Sequence, residues 1–365
     1  MTTQPIHRPG RPHPALSRRA LLAGTAAGAV GLSLAACGKG KKAGSQADSK
    51  TVTVVTHDSF HVSDDLMKAF TSETGYTLKV ATSGDAGALV NKLVLTKDAP
   101  LGDAVFGIDN TYATRALDQG VIDTSATVTL PKGAESYVVA DTPALAPIDV
   151  GDVCLNIDTG YFSGKGLKPP ATFEDLTKPE YKGLLVAINP TNSSPGMAWL
   201  LATIGHFGAS SFADYWKHLA AGGARIAEDW TAAYETDFSG GGKGTYPIVV
   251  SYASSPSFTV SKDGASSSTS ALLDTAFRQV EYAGVLKGAA NPEGGKAFVT
   301  WMLSKAVQED IPGQMYMYPV LSDAALPEAL TKFGPLSKAP VKVDPKEITA
   351  HREEWLNTWT EAVGK

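Results

Sequence analysis

Between residues 51 and 120 the hydrophobic period switches repeatedly between two and three-to-four. "TVTVVTH" alternates as a β-strand, and "VSDDLMKAFTSETG" after it follows a helical period, with Ser63 placed to cap it, Asp64 and Asp65 in its first turn and Gly75 at its end. "YTLKVAT" then reads as a strand, "ALVNKLVLTK" as a helix, "DAVFGID" as a strand and "TYATRALDQG" as a helix. Such switching predicts βαβ units around a largely parallel sheet. A second series, "LLVAIN", "GMAWLLATIGHFG", "SFADYWKHLAAGG" and "TYPIVVSYASS", predicts a second α/β lobe. Strand-like stretches near Pro147 ("ALAPIDVGDVCLNID") and Tyr252 ("PIVVSYASSPSFTV") read as crossovers between the lobes. "NPEGGKAFVTWMLSKAVQEDI" reads as one helix with an Asn-Pro start, and "PKEITAHREEWLNTWTEAVG" as another. The expected architecture is a two-lobed α/β clamshell, each lobe a mixed, mostly parallel sheet flanked by helices, with two crossovers. Its expected boundaries are 51–147 for the first part of lobe 1, 148–254 for lobe 2 and 255–365 for the rest of lobe 1.

The N-terminal residues carry a different signal. Residues 17–37, "SRRALLAGTAAGAVGLSLAAC", open with a twin arginine, continue as a Gly- and Ala-rich apolar run and end in small residues before Cys37. That is the layout of a twin-arginine export signal with a lipoprotein cleavage box. A membrane-spanning helix needs about 20 strongly apolar residues, and this run is short and interrupted by glycine. Residues 1–36 are thus the expected signal peptide, Cys37 the expected lipidated residue, and residues 37–50 a flexible tether. The expected location is extracytoplasmic, held on the outer face of the cytoplasmic membrane or in a periplasm. With Cys37 lipidated, Cys154 has no partner for a disulfide and is expected as a small buried hydrophobe in "DVCLNID". No C-x-x-C spacing suggests a metal site, and no cofactor is expected.

Removing residues 1–36 takes away four arginines and no acids, which leaves 28 basic residues against 37 acidic ones. A surface of that sign does not suit nucleic acid and weakly attracts cations. In open α/β sheets ligands gather where strands end and helices begin. The residues at those turns are His57, Asp58 and Ser59 after the first strand, Asp85 in "SGDAGA", Asp109 after "AVFGI", and "PTNSSPG", where Ser194 is placed to cap a helix begun by Pro195. Each alone is an ordinary cap or turn residue, but their recurrence predicts a polar cleft. In "EDWTAAYETDF", Trp230 and Tyr234 stand four apart among acids. The stretch fits an amphipathic helix facing a core, and it fits half of a cage for an organic cation. Trp199, Trp216, Trp301, Trp355 and Trp359 lie on helical faces that predict core packing.

Taken together, the export layout, "VVTHDSF", "FGIDN", "TNSSPG", "DWTAAYE", "VVSYASSPSF", "NPEGGKAFVTWMLS" and "MYMYPV" resemble the thiamine-binding solute receptors of ABC importers, in the type II periplasmic-binding-protein superfamily. The resemblance runs from about Thr51 to "EWLNTWTEAV". It implies a non-enzymatic, monomeric binding protein with thiamine or thiamine phosphate as ligand and an ABC permease and ATPase as partners. It also implies aromatic walls from Trp230, Tyr252, Phe258 and Tyr316, with Tyr234 facing cleft or core. Asp85 would meet the aminopyrimidine, while Ser193, Ser194 and the backbone at Gly196 would hold the tail. His57, Phe258 and Tyr316 depart from the family pattern, which has tyrosine, tyrosine and tryptophan there. The competing readings are a receptor of the same fold for a polyamine or ferric iron, and a surface hydrolase. The hydrolase lacks a G-x-S-x-G elbow or a nucleophile paired with a base.

Overall fold

The computed structural model describes residues 50–364. The signal peptide, the lipidation site at Cys37 and the tether as far as residue 49 lie outside the described residues. In chain order the elements are β1 (Thr51–Thr56), α1 (Asp64–Thr74), β2 (Thr77–Thr82), α2 (Ala86–Leu95), β3 (Ala104–Asp109), α3 (Ala113–Asp118), β4 (Ala146–Asp158) and α4 (Thr159–Lys165). They continue with β5 (Leu185–Ile188), α5 (Ser194–Phe207), α6 (Phe212–Ala221), β6 (Arg225–Ala227), β7 (Ile248–Tyr252), β8 (Thr269–Val285), α7 (Pro292–Met302), α8 (Lys305–Gln314), β9 (Tyr318–Pro319), α9 (Glu328–Phe333) and α10 (Pro345–Val363).

The strands form one mixed sheet in the order β2-β1-β3-β8-β4-β7-β5-β6, with β9 beside β4. Its outer parts are parallel, β1 with β2 and β3, and β5 with β6 and β7. Its middle is antiparallel, because β8 pairs with β3 and β4, and β4 pairs with β7. The sheet therefore has two parallel halves, joined by the long β4 and β8 strands. β4 is the strand expected near Pro147. The second long strand is β8, not the stretch around Tyr252, whose β7 is an interior strand of the second half. β8 escapes sequence reading because residues 270–274 are partly or fully exposed while residues 275–285 are almost all buried, so it holds no single period.

Helix ends follow local chemistry in most places. Gly75 closes α1 in the left-handed conformation with φ 74°, donating its N–H to Thr71 O. Ser63 occupies the expected cap position, but its side chain makes no capping bond; its own N–H is donated to Asp310 Oδ2 at 2.8 Å. Asn291 caps α7 by accepting the Gly294 N–H at 2.9 Å, with Pro292 in the first turn. The single helix expected from residue 291 onward is broken into α7 and α8 at Ser304, whose hydroxyl accepts the Val307 N–H and starts a new helix.

The tryptophans expected in the core are all buried. Trp199 meets Trp216 edge-on at 5.1 Å, and Trp216 meets Trp359 at 5.7 Å, which ties α10 to α6. On its other side α10 lays Arg352 over the Tyr112 ring, 4.0 Å from the centroid, and so reaches the first half as well. Cys154 is buried, and burial raises its thiol pKa, so it is an inert thiol in the sheet.

Candidate functional site

A cavity of about 270 Å³ lies where the strand ends of both halves converge. From the first half come His57, Asp58, Ser59 and Asp85; from the second, Ser194, Pro195, Trp230 and Tyr252; from the long strand β8, Glu281; and from the α8–β9 turn, Tyr316. A second cavity of about 350 Å³ adjoins it and shares Trp230, Glu235, Ser255 and Tyr316, adding Tyr234 and Phe258. The first cavity holds the carboxylates Asp58, Asp85 and Glu281, and rings dominate the second.

The aromatic side is built as two pairs. "DWTAAYE" forms a π-helical turn over Ala232–Asp237, not the α-helix its spacing predicts. Asp229 caps it by accepting the Ala232 N–H at 2.7 Å, and the Phe238 N–H reaches back five residues to Ala233 O. Trp230 and Tyr234 stack with centroids 5.0 Å apart and planes 9° apart. The Trp230 indole N–H donates to Ser251 Oγ at 2.9 Å, which orients the ring. Opposite them Phe258 and Tyr316 pack edge-on at 4.0 Å, 44% and 40% exposed. Tyr316 is held at φ 64°, an uncommon conformation for a ring-bearing residue. Tyr234 thus faces core and cavity together: it is buried, it lines the second cavity, and burial pushes its hydroxyl pKa up to about 12.

On the polar side, the Asp85 carboxylate caps α2 by accepting the Ala86 N–H at 2.7 Å, and the same Oδ1 receives the Ser194 N–H at 3.4 Å. One carboxylate therefore touches the N-termini of two helices, one in each half of the sheet. Burial lifts the Asp85 pKa, while hydrogen bonds to the carboxylate oppose the shift. Behind it runs a polar chain. Tyr252 Oη donates to Gln279 Oε1 at 3.2 Å, Gln279 Nε2 donates to Glu281 Oε1 at 3.2 Å, and His57 Nε2 stands 3.5 Å from the same oxygen. His57 Nδ1 accepts the Ser59 N–H at 3.1 Å, which puts the neutral ring's proton on Nε2, toward Glu281. For His57, burial favours the neutral ring most strongly, but the Glu281, Asp85 and Asp58 carboxylates together raise its pKa above the ordinary value. Gly107 makes room for this ring: at φ 98° it has no Cβ, and one added there would lie 2.0 Å from His57 Cδ2. Asp149 pairs with Glu281 across the β4–β8 ladder, and burial followed by the facing Glu281 charge holds its pKa well above the usual carboxylate range.

Of the residues expected from sequence, His57, Asp58, Ser59, Asp85, Ser194, Trp230, Tyr252 and Tyr316 line the first cavity, and Tyr234 and Phe258 line the second. Three do not line either. Asp109 is buried beneath the site, accepting the Thr111 N–H at 2.7 Å and the Thr111 hydroxyl at 2.6 Å. Ser193, and not Ser194, is the residue preceding α5, and it is fully enclosed. Gly196 packs on β5, where a Cβ would lie 2.8 Å from Asn189 O. Sequence reading missed Glu281, Glu235 and Ser255. Gln279 and Glu281, two polar residues two apart inside the apolar run "AFRQVEYAGV", were the available signal for the strand floor.

Residues 103–335 match the family model described as bacterial extracellular solute-binding protein. Over 326 residues the chain is 27% identical to the thiamine-binding periplasmic protein of Salmonella typhimurium, covering 86% of this chain and 94% of that relative. A solved periplasmic thiamin binding protein superposes with a TM-score of 0.74 at 25% identity, covering 86% of this chain and 96% of the other. Iron-bound HitA from Pseudomonas aeruginosa shares the fold, with a TM-score of 0.68 at 20% identity over 86% of this chain and 99% of its own. The two-lobed α/β architecture, the cleft between its halves and the family match over most of the chain lead to one statement of kinship: this chain belongs to the bacterial extracellular solute-binding proteins.

Proposed function

We propose that the chain is an extracytoplasmic receptor that captures thiamine in the cleft and delivers it to a membrane permease driven by an ATPase. The observation that carries this reading is the junction of a four-ring cavity, Trp230, Tyr234, Phe258 and Tyr316, with a cavity holding Asp58, Asp85 and Glu281. Thiamine has the complementary parts: a permanently cationic thiazolium for the ring faces, an aminopyrimidine for carboxylate and amide edges, and a hydroxyethyl tail for a hydroxyl donor. In this reading Trp230 and Tyr316 flank the cation, Asp85 meets the aminopyrimidine and Ser194 meets the tail. The thiamine-binding names of the relatives support the same ligand.

Binding would close the half that carries β5, β6 and β7 on the half that carries β1, β2 and β3 by bending β4 and β8, and the closed monomer would dock on the permease. α10, which touches both α6 and α3, would adjust at the back of the hinge. Export by the twin-arginine signal and a lipid on Cys37 would keep the receptor at the membrane. Calorimetric titration of the ligand-free, full-length protein with thiamine tests the reading. One-to-one saturation at micromolar or tighter supports it. No heat, together with no displacement of any co-purified molecule by thiamine, rejects it.

A further inference from the structure

Three side chains meet the Glu281 carboxylate at the floor of the first cavity. Gln279 Nε2 donates to Oε1 at 3.2 Å and is neutral. Asp149 faces Glu281 from β4, fully enclosed and with no hydrogen bond accepted by either carboxyl oxygen, so burial and the facing charge hold its proton on. His57 Nε2, 3.5 Å from Oε1, belongs to the one of the three that can become a cation. Around the His57 ring stand Asp58 from its own loop and Asp85 from the start of α2; Asp109 at the end of β3 and the Tyr252 hydroxyl of β7 act on Glu281, and Phe106 packs on the ring at 5.3 Å. All of these are acids or neutral. Arg352 acts on Asp109 from α10, but among the described residues neither cavity lining includes Lys or Arg. The cleft therefore carries surplus negative charge, and the cations able to offset it there are a proton on His57 and a positive ligand.

We propose that a proton on His57 and the cationic ligand are alternative partners for the negative floor at Glu281, so that loading the cleft sends the His57 proton to solvent. This inference rests on the proposed thiamine reading, from which it takes only the ligand's permanent positive charge. His57, Glu281, Trp230 and Tyr316 line one cavity, where a cation between the two rings and a protonated His57 repel each other with little water to screen them. A proton on Nδ1 also displaces the Ser59 N–H that this nitrogen accepts at 3.1 Å; Ser59 is exposed and turns to water, and loading restores the bond. The sign follows from the same charges. Against burial, the Glu281, Asp85 and Asp58 carboxylates raise the His57 pKa above 6.5, and a bound cation opposes them and lowers it. Binding therefore strengthens as pH rises through the raised value and weakens below it.

Calorimetric titration of the full-length protein with thiamine at pH 7.0, in buffers of different ionisation enthalpy, counts the protons exchanged. The expected result is release of at least about 0.3 proton per thiamine bound, with binding at least about fivefold weaker at pH 5.5 than at pH 8.5. His57→Gln, whose amide can still donate to Glu281, and separately His57→Asn should each cut the release at least about threefold. Asp109→Asn and Asp149→Asn are measured beside them, because both enclosed carboxyls also have raised pKa values and would release a proton to a nearby cation. Release that survives the His57 variants overturns the assignment to His57, and its loss in one of the aspartate variants moves it to that carboxyl. Proton uptake or no exchange by the unaltered protein, a result that needs no variant to fold, overturns the inference and leaves the thiamine reading intact. No binding in any buffer at any of these pH values overturns both.

Discussion

Trp230 and Tyr234 lie parallel, 5.0 Å apart at their centroids, with the indole N–H tied to Ser251 Oγ. Stacking fixes one face of Trp230 against Tyr234, and the residue also lines both cavities. The wall is thus held in place before any ligand arrives, which reduces the ordering cost of binding.

Replacing Trp230 by Ala should weaken thiamine binding by about 1–2 kcal/mol, the range for a ring facing a desolvated cation. Trp230→Phe should fall between, since it keeps a ring and loses the Ser251 bond. Calorimetry reads both. An unchanged dissociation constant with a lowered melting temperature would assign the ring to the core alone.

Gly87, on α2, lies against the other half of the molecule: a Cβ there would be 2.7 Å from Asn192 O and 2.7 Å from Tyr112 Oη. The Asn192 oxygen is backbone and cannot turn away. Gly87→Ala should act as a wedge, lowering affinity for the ligand at least about tenfold by the cost of an overpacked contact. Parting the halves relieves the Asn192 contact but leaves the one to the buried Tyr112 hydroxyl, so the ligand-free protein should also lose stability, by less than the loss in binding free energy. Small-angle scattering should show a smaller compaction on adding ligand. Full compaction at unchanged affinity would mean that the contact plays no part in closure.

Asp109 is enclosed beneath the site, and burial, the largest influence, raises its pKa from 3.8 to about 7, against the Thr111 hydrogen bonds. A raised carboxylate pKa means that the folded state holds a proton the unfolded chain releases. The cost is absent below pH 3.8, grows as pH rises and levels off above about 7. Asp109→Asn can still accept both Thr111 bonds through its amide oxygen. Its stability relative to the unaltered protein should therefore increase between pH 4 and 7, by on the order of 4 kcal/mol at most, and stay constant above. Urea unfolding at several pH values measures this; a difference independent of pH would remove Asp109 as the titrating group.

Local chemistry was readable where it is local. The alternation of strand and helix from Thr51, the left-handed stop at Gly75, the Asn291-Pro292 helix start and the buried tryptophans follow from neighbours within a few residues. Asp85 as a helix cap belongs to the same class. β8 was not readable, since its two parts meet different surroundings and carry different patterns. With it went Glu281, a carboxylate whose place beside His57 depends on a strand pairing across the whole chain.

What the amino-acid order determines by itself is the kind of layer structure and the supply of rings and carboxylates at the ends of its elements, because period and capping act over one or two turns. Which of those groups meet was decided by the tertiary structure. His57, Asp85, Ser194, Trp230, Glu281 and Tyr316 come from distant parts of the chain and converge only where the two sheet halves join. Asp109 and Gly196 have turn positions as suggestive as those of Asp85 and Ser194, yet they point into packed interior. Side-chain direction at a strand end depends on how the halves are joined through β4 and β8, and no local period records that.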